Sequence, residues 1–303
     1  MNIINNLQEI IPFLPHIKKG NYDKNIGTFI LIGGSSYKST DFDKFQVNKN
    51  DKFYRKFNYE VEYPNINFQT RLSKISSTFS FDRPTDLLNL NLYGNAKNKN
   101  IYIASLTDLT IKNYSQFLYN LFNYHNLKPP YIFIAFSEGG WDVLSFSKYY
   151  SNLTKKIYFI DTPLLGKYWL MYEKFRGNLK WYKDLEAKKF SWKPINKIDL
   201  SNKNILQKMD TYNFEIKTYN FINKMTINDF PKKVSIIILW SPYYDYPTKI
   251  SKEKTDIINK MNEELHQPQY SNIANFYINA PHQMERVIPI TLSKLIINTL
   301  NNN

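Results

Sequence analysis

Residues 131–150, YIFIAFSEGGWDVLSFSKYY, restrict the fold more than any other stretch of this chain. Five β-prone apolar residues, Tyr131 to Ala135, run into Phe136-Ser137-Glu138-Gly139-Gly140, and a helix-compatible segment follows at once. An uninterrupted apolar strand of this kind belongs in a buried sheet. The turn into the helix is so tight that only small side chains fit two places either side of the serine, and Ala135 and Gly139 hold those places. A serine so placed stands out at the tip of the sheet, as in the nucleophile elbow G-x-S-x-G, written here A-x-S-x-G. The plainer reading is a Ser137 that caps a helix after a strand.

The rest of the chain repeats strand and helix. Asn25 to Ile32 is an apolar strand ending in Gly33-Gly34-Ser35-Ser36, and Thr78 to Phe81 is a strand running into the turn signal Asp82-Arg83-Pro84-Thr85. A short helix is expected over 68–75. Tyr114, Phe117, Leu118, Leu121 and Phe122 make one apolar helix face, which His125 continues as a packed helix-end histidine before Pro129-Pro130. Ile157 to Ile160 is a buried strand that stops at Asp161-Thr162-Pro163. Val234 to Trp240 is another, followed by Ser241-Pro242-Tyr243-Tyr244-Asp245. A polar helix over 251–265, a last strand Ala274 to Ile278, the turn Ala280-Pro281-His282 and a terminal helix complete the series. Residues 1–24 read as a helical or irregular lead-in, and 37–66 show no clear pattern.

This alternation implies an α/β fold: a mostly parallel sheet with helices on both faces and right-handed crossovers, its chemistry at the carboxyl ends of the strands. Between 162 and 233 the pattern changes to a helix-prone, aromatic segment with fifteen basic and seven acidic residues. We read 162–233 as a helical cap inserted into a core made of 1–161 and 234–303.

Composition removes several classes. With no cysteine there is no disulfide or thiolate metal site, and four histidines (His16, His125, His266, His282) leave little for zinc. No phosphate-binding glycine loop is present. No metal and no cofactor are expected. No basic region leads into an apolar run at the N-terminus, and no stretch approaches the ~18 apolar residues of a membrane span, so a cytoplasmic protein is expected. The net charge of +14 comes from lysines scattered singly in a composition rich in Lys, Asn, Ile, Tyr and Phe, the mark of an AT-rich genome. It is read as a solvated surface, with no specific nucleic-acid partner.

A serine hydroxyl needs a histidine to take its proton and a carboxylate to orient that histidine. Ser137, Asp245 and His282 supply these in chain order, each after a strand. Asp161, at the end of the preceding strand, is the alternative acid, or else caps the start of the insertion. Asp245 has its own plain reading as a turn residue, and His282 as a loop histidine. Two N–H groups must face a developing oxyanion. Glu138, after the serine, is one candidate; Gly34 or Ser35 is the other. The Glu138 side chain is expected to face solvent in the first turn of the helix.

Taken together, ILIGGSS, FSFDRP, IAFSEGG, YFIDTP, LWSPYYD and APHQMERVIP resemble the α/β-hydrolase superfamily over roughly residues 25–300. The last piece is similar to the family's histidine loop, with Glu285 and Pro289 following at like spacing. The chain departs from the pattern in four places. Ile32 stands where the family often has histidine, Ala135 replaces the first elbow glycine, no Gly-x-Gly-x-Ser follows FSFDRP, and no pair of leading strands is evident before Asn25. The resemblance implies a serine hydrolase that cleaves an ester, thioester or amide through an acyl-enzyme. A serine nucleophile is unlike the aspartate of the family's epoxide hydrolases and dehalogenases. The aromatic, basic cap fits a small-molecule acyl substrate with a hydrophobic chain, or peripheral contact with lipid, and equally fits aromatics that only pack the cap down. An acyltransferase, or a hydrolase fold that has lost catalysis and serves in binding, are the alternatives.

Overall fold

The computed structural model describes residues 2–4, 7–34, 38–44, 61–62, 65–84, 101–103, 110–162, 168, 227–243 and 252–300. Its strands are β1 (Asn2–Ile4), β2 (His16–Lys19), β3 (Thr28–Ile32), β4 (Thr78–Phe81), β5 (Ile101–Ile103), β6 (Tyr131–Phe136), β7 (Thr154–Ile160), β8 (Ser235–Trp240) and β9 (Ile273–Tyr277). The α-helices are α1 (Asp41–Lys44), α2 (Phe68–Ser73), α3 (Ile111–Tyr124), α4 (Gly139–Tyr150), α5 (Lys252–Leu265), α6 (Met284–Val287) and α7 (Pro289–Thr299).

Seven strands form one sheet in the order β2-β4-β3-β6-β7-β8-β9, and β1 pairs with β5 in a separate parallel ribbon. Every pair in the large sheet is parallel except β2–β4. The side chains divide as a period of two requires. Ile30, Phe133, Phe159 and Ile236 join one core with α3, α4 and α5. Phe29, Ile132, Tyr158 and Ile237 join the other with α2, α6 and α7. Both faces of the central strands are buried, which is why β3 and β6 appear in the sequence as unbroken apolar runs.

Local chemistry sets the helix starts. Thr110 accepts from the N–H of Asn113 ahead of α3, and Asn67 accepts from that of Thr70 ahead of α2. The N-terminus of α7 is capped from far away in sequence: the Glu62 carboxylate accepts the N–H groups of Ile290 (2.5 Å) and Thr291 (3.0 Å).

The lead-in is helical over Leu7–Phe13, a 3-10 helix, as the sequence suggests, but it also holds β1 and the edge strand β2 before Asn25, where the sequence shows no strand. HIKK is short, antiparallel and half exposed, so it carries no apolar signature, as a protected sheet edge should not. His125 packs at this edge, with ring centroids 4.9 Å from Phe79 and 4.0 Å from His16. Burial first, then the charges of His16 and Lys18, pushes its pKa down to about 4.

Candidate active site

Strand β6 ends at Phe136, and Ser137 turns the chain with a left-handed φ of 49°. For a non-glycine residue this costs roughly 1–2 kcal/mol, so the surroundings must hold it. They do so in two ways. The Ser137 N–H continues the ladder to the Ile160 carbonyl at 3.1 Å. Neighbouring atoms also leave no room for a side chain at Gly139 or Gly140. A Cβ on Gly139 would lie 2.5 Å from the Ile32 carbonyl oxygen, and one on Gly140 would lie 2.1 Å from Thr162 Cγ2. The small residues of the motif are therefore dictated by β3 on one side and the end of β7 on the other. Ser137 itself is half-buried.

Gly34 abuts the serine: a Cβ there would lie 2.5 Å from Ser137 Cβ and 3.0 Å from Ser137 Oγ. Glu138 precedes α4, whose first hydrogen bonds run from Gly140 to Ser137 and from Trp141 to Glu138. The first N–H groups of a helix have no acceptor within it, which leaves them available to an anion. Ser35 lies outside the described residues.

The Glu138 side chain is one-third exposed and 3.8 Å from Arg83 Nη1. Arg83, from the turn after β4, is buried and reaches under α4, donating from Nε to Asp142 Oδ2 at 2.8 Å and from Nη2 to Oδ1 at 3.3 Å. Burial pushes the Asp142 carboxyl up, and the Arg83 charge only partly opposes it. The sequence marked Arg83 as part of a turn; nothing in FSFDRP announces a buried cation.

Asp161 occupies the position on β7 that Ser137 occupies on β6. Phe136 pairs with Ile160, and each strand is followed by one left-handed residue, with φ of 42° at Asp161. Its N–H donates to the Leu239 carbonyl at 2.8 Å. The carboxylate is buried and fully engaged. Oδ1 accepts from the Ser241 N–H (3.1 Å) and Lys254 Nζ (2.9 Å), and Oδ2 meets Lys254 Nζ (2.8 Å) and His282 Nδ1 (2.6 Å). Burial alone would raise this carboxyl; the Lys254 charge, then the hydrogen bond and charge of His282, hold it below the ordinary value.

The carboxylate of Asp161, the alternative acid, reaches His282; Asp245 lies outside the described residues. His282 sits in the loop between β9 and α6, three-quarters buried. Its Nδ1 contact carries the ring to the same end of the sheet as Ser137. Lys254 is not among the candidates named from the sequence, although its position carries a signal. It falls on the buried stripe of α5 with Ile257, Ile258, Met261 and Leu265.

Apart from its ends, the 162–233 segment is described only at Tyr168, whose hydroxyl donates to the Lys260 carbonyl (3.1 Å) and to the Glu264 carboxylate of α5. Among the described residues there is no cluster of three or more His, Asp or Glu able to hold a metal ion, and no helix long and apolar enough to cross a membrane.

No model of a known protein family matches this chain, and no curated protein matches it by sequence. Solved structures do match over nearly its whole length. An α/β-hydrolase enzyme from a Medee basin deep-sea metagenome library is 14% identical, with 96% of this chain and 94% of that one covered and a TM-score of 0.51. A variant of AqdC, described for recognition and ring-cleavage of the Pseudomonas quinolone signal, is 11% identical, with 96% of each chain covered and a TM-score of 0.53. A marine microorganism esterase is 14% identical, with 94% and 98% covered and a TM-score of 0.50. The chain has the α/β-hydrolase fold.

Proposed function

We propose that this chain is a serine hydrolase that cleaves an ester, thioester or amide through an acyl-enzyme on Ser137. The observation that carries the reading is the Asp161–His282 hydrogen bond of 2.6 Å at the strand end next to the left-handed Ser137. In this reading Ser137 Oγ attacks the substrate carbonyl and His282 Nε2 takes the hydroxyl proton. Asp161 holds Nδ1–H, which fixes the tautomer and stabilises the imidazolium. The N–H of Glu138 and one from Gly34 or Ser35 receive the oxyanion. His282 then gives its proton to the leaving group. Water, activated by the same histidine, releases the acid and restores Ser137.

The esterase among the structural neighbours supports this reading, while the ring-cleaving neighbour shows that the fold alone does not decide the reaction. We take Asp161 as the acid in preference to Asp245 because Nδ1 of His282 is already occupied by it. Residues 162–233 are the proposed cap, and a hydrophobic acyl group beneath it is the proposed substrate class.

A fluorophosphonate probe tests the reading without knowledge of the substrate, because it reacts with activated serines. Labelling of the wild type at Ser137, abolished in Ser137→Ala and in His282→Ala, is the expected result. A folded wild type that takes no label would overturn the hydrolase reading and favour a binding role for the fold.

A further inference from the structure

Lys254 occupies a place that the pattern of its helix gives to an apolar residue. It opens the buried stripe of α5 one turn before Ile257 and Ile258, and its side chain is 7% exposed. A buried ammonium costs several kcal/mol unless its charge and its donors are matched. Here they are matched at Asp161: Nζ lies 2.9 Å from Oδ1 and 2.8 Å from Oδ2, with the Tyr243 carbonyl at 2.9 Å. The carboxylate is gripped by Lys254 and the Ser241 N–H, and its Oδ2 is presented to His282.

We infer that Lys254 is a positioning residue for the Ser137–His282 pair, pinning the Asp161 carboxylate toward His282 and cancelling its charge. The inference rests on the serine-hydrolase reading above. In a serine–histidine–carboxylate set the negative charge stabilises the imidazolium that forms during attack. With Lys254 in contact, the imidazolium forms beside a neutral ion pair instead of a bare carboxylate. Pinning and cancelling have separate signatures. Orientation of the ring governs the rate on the alkaline plateau, whereas the charge facing the ring governs the pH at which the base stops working. Among the described residues, the charged groups acting on Asp161 are Lys254 from α5 and His282 from the loop after β9. The loop after β8 adds a neutral N–H from Ser241, and it meets the lysine with the neutral Tyr243 carbonyl.

The test is the rate of fluorophosphonate labelling of the full chain from about pH 5 to 9, with thermal unfolding as a check of folding. Lys254→Gln keeps an N–H donor and drops the charge, Lys254→Met drops both, and Lys254→Arg keeps the charge. In both neutral variants the midpoint of the acid limb is expected to rise by about 1–3 pH units. The plateau rate is expected to fall roughly 10–100-fold in the Met variant and much less in the Gln variant. The Arg variant should hold the wild-type midpoint. A folded Gln variant with an unmoved midpoint would overturn the charge role, and an unmoved plateau in the Met variant would overturn the pinning role. Should the Met variant not fold, the Gln and Arg pair still decides the charge role. A wild type that takes no label sinks the hydrolase reading itself. A labelled wild type with unchanged variants sinks the lysine's part alone.

Discussion

Two buried carboxylates flank Ser137, Asp142 one turn into the elbow helix and Asp161 one strand over in the sheet. Each has a basic side chain within 2.8 Å, Arg83 at the first and Lys254 at the second. Their environments nevertheless push them in opposite directions. At Asp142 burial prevails over Arg83 and the carboxyl rises. At Asp161 the Lys254 charge, together with the bond and charge of His282, outweighs burial and the carboxyl falls. The difference lies in what else reaches the oxygens. Asp142 serves as a clamp between the turn after β4 and helix α4, while one oxygen of Asp161 faces a histidine at the open end of the sheet. Asp142 also meets the ring of Tyr114, but that ring is buried, whereas the ring that meets Asp161 is partly open to solvent; the proposed function rests on that second contact.

The largest expected effect separates the two acids by chemistry. Asp161→Asn should slow fluorophosphonate labelling of the folded protein by about 10⁴-fold, because the asparagine amide favours the wrong imidazole tautomer, and by stranding the Lys254 charge it should also cost about 3–5 kcal/mol. Asp245→Asn should change it less than about tenfold; the reverse ranking would return Asp245 to the acid's place. Next comes stability at the other pair. Arg83→Met strands the Asp142 charge in the core and should cost about 3–5 kcal/mol in denaturant unfolding. Replacing both partners, as Arg83→Met with Asp142→Leu, should recover most of it. If the double variant is no more stable than the single one, the clamp view of Asp142 is wrong.

A smaller effect tests how closely the elbow and the Asp161 strand end are packed. Gly140→Ala puts a methyl within 2.1 Å of Thr162 Cγ2 and should cost about 1–3 kcal/mol, relieved in part by Thr162→Ser. Additive effects of the two changes, read from thermal melts, would show that the contact is not shared. The smallest effect is in the pH dependence of stability. A lowered carboxyl contributes stability that is present above its unfolded value, about 3.9, and is lost as pH falls further. A raised carboxyl contributes most below that value and loses its contribution as pH climbs above it. Asp161→Asn should therefore flatten the stability profile below about pH 4 and Asp142→Asn should flatten it above. The same slopes in both variants would remove the contrast.

Much of this architecture was legible because buried parallel strands leave unbroken apolar runs: β6 and β8 lie within a residue of where the sequence places them, and β3 and β7 end at Ile32 and Ile160 as read, although β3 starts three residues later and β7 three residues earlier. The elbow was legible too, since its glycines answer to steric demands that no other residue meets. What escaped shared one cause. β2, Arg83 and Lys254 are polar residues whose meaning depends on partners distant in sequence: Arg83 meets Asp142 59 positions on, and Lys254 meets Asp161 93 positions back. Only Lys254 left a local trace, a lysine on an apolar stripe. His282 stood out because it alone among the four histidines follows a strand and precedes a helix, and its neighbour, Asp161, was in view as the second of two acids.

Among the described residues, the carboxylate of Asp161 is held by Ser241, Lys254 and His282, all of which follow it in the chain. On a ribosome the elbow and the strand bearing Asp161 emerge before any of these three, so the acid is made ahead of the groups that hold it. An ionised carboxylate is costly to bury alone, and α5 brings the lysine that matches it at the β7 end. In the proposed reading, a chain interrupted before Lys252 would carry Ser137 without the lysine and the histidine that meet Asp161.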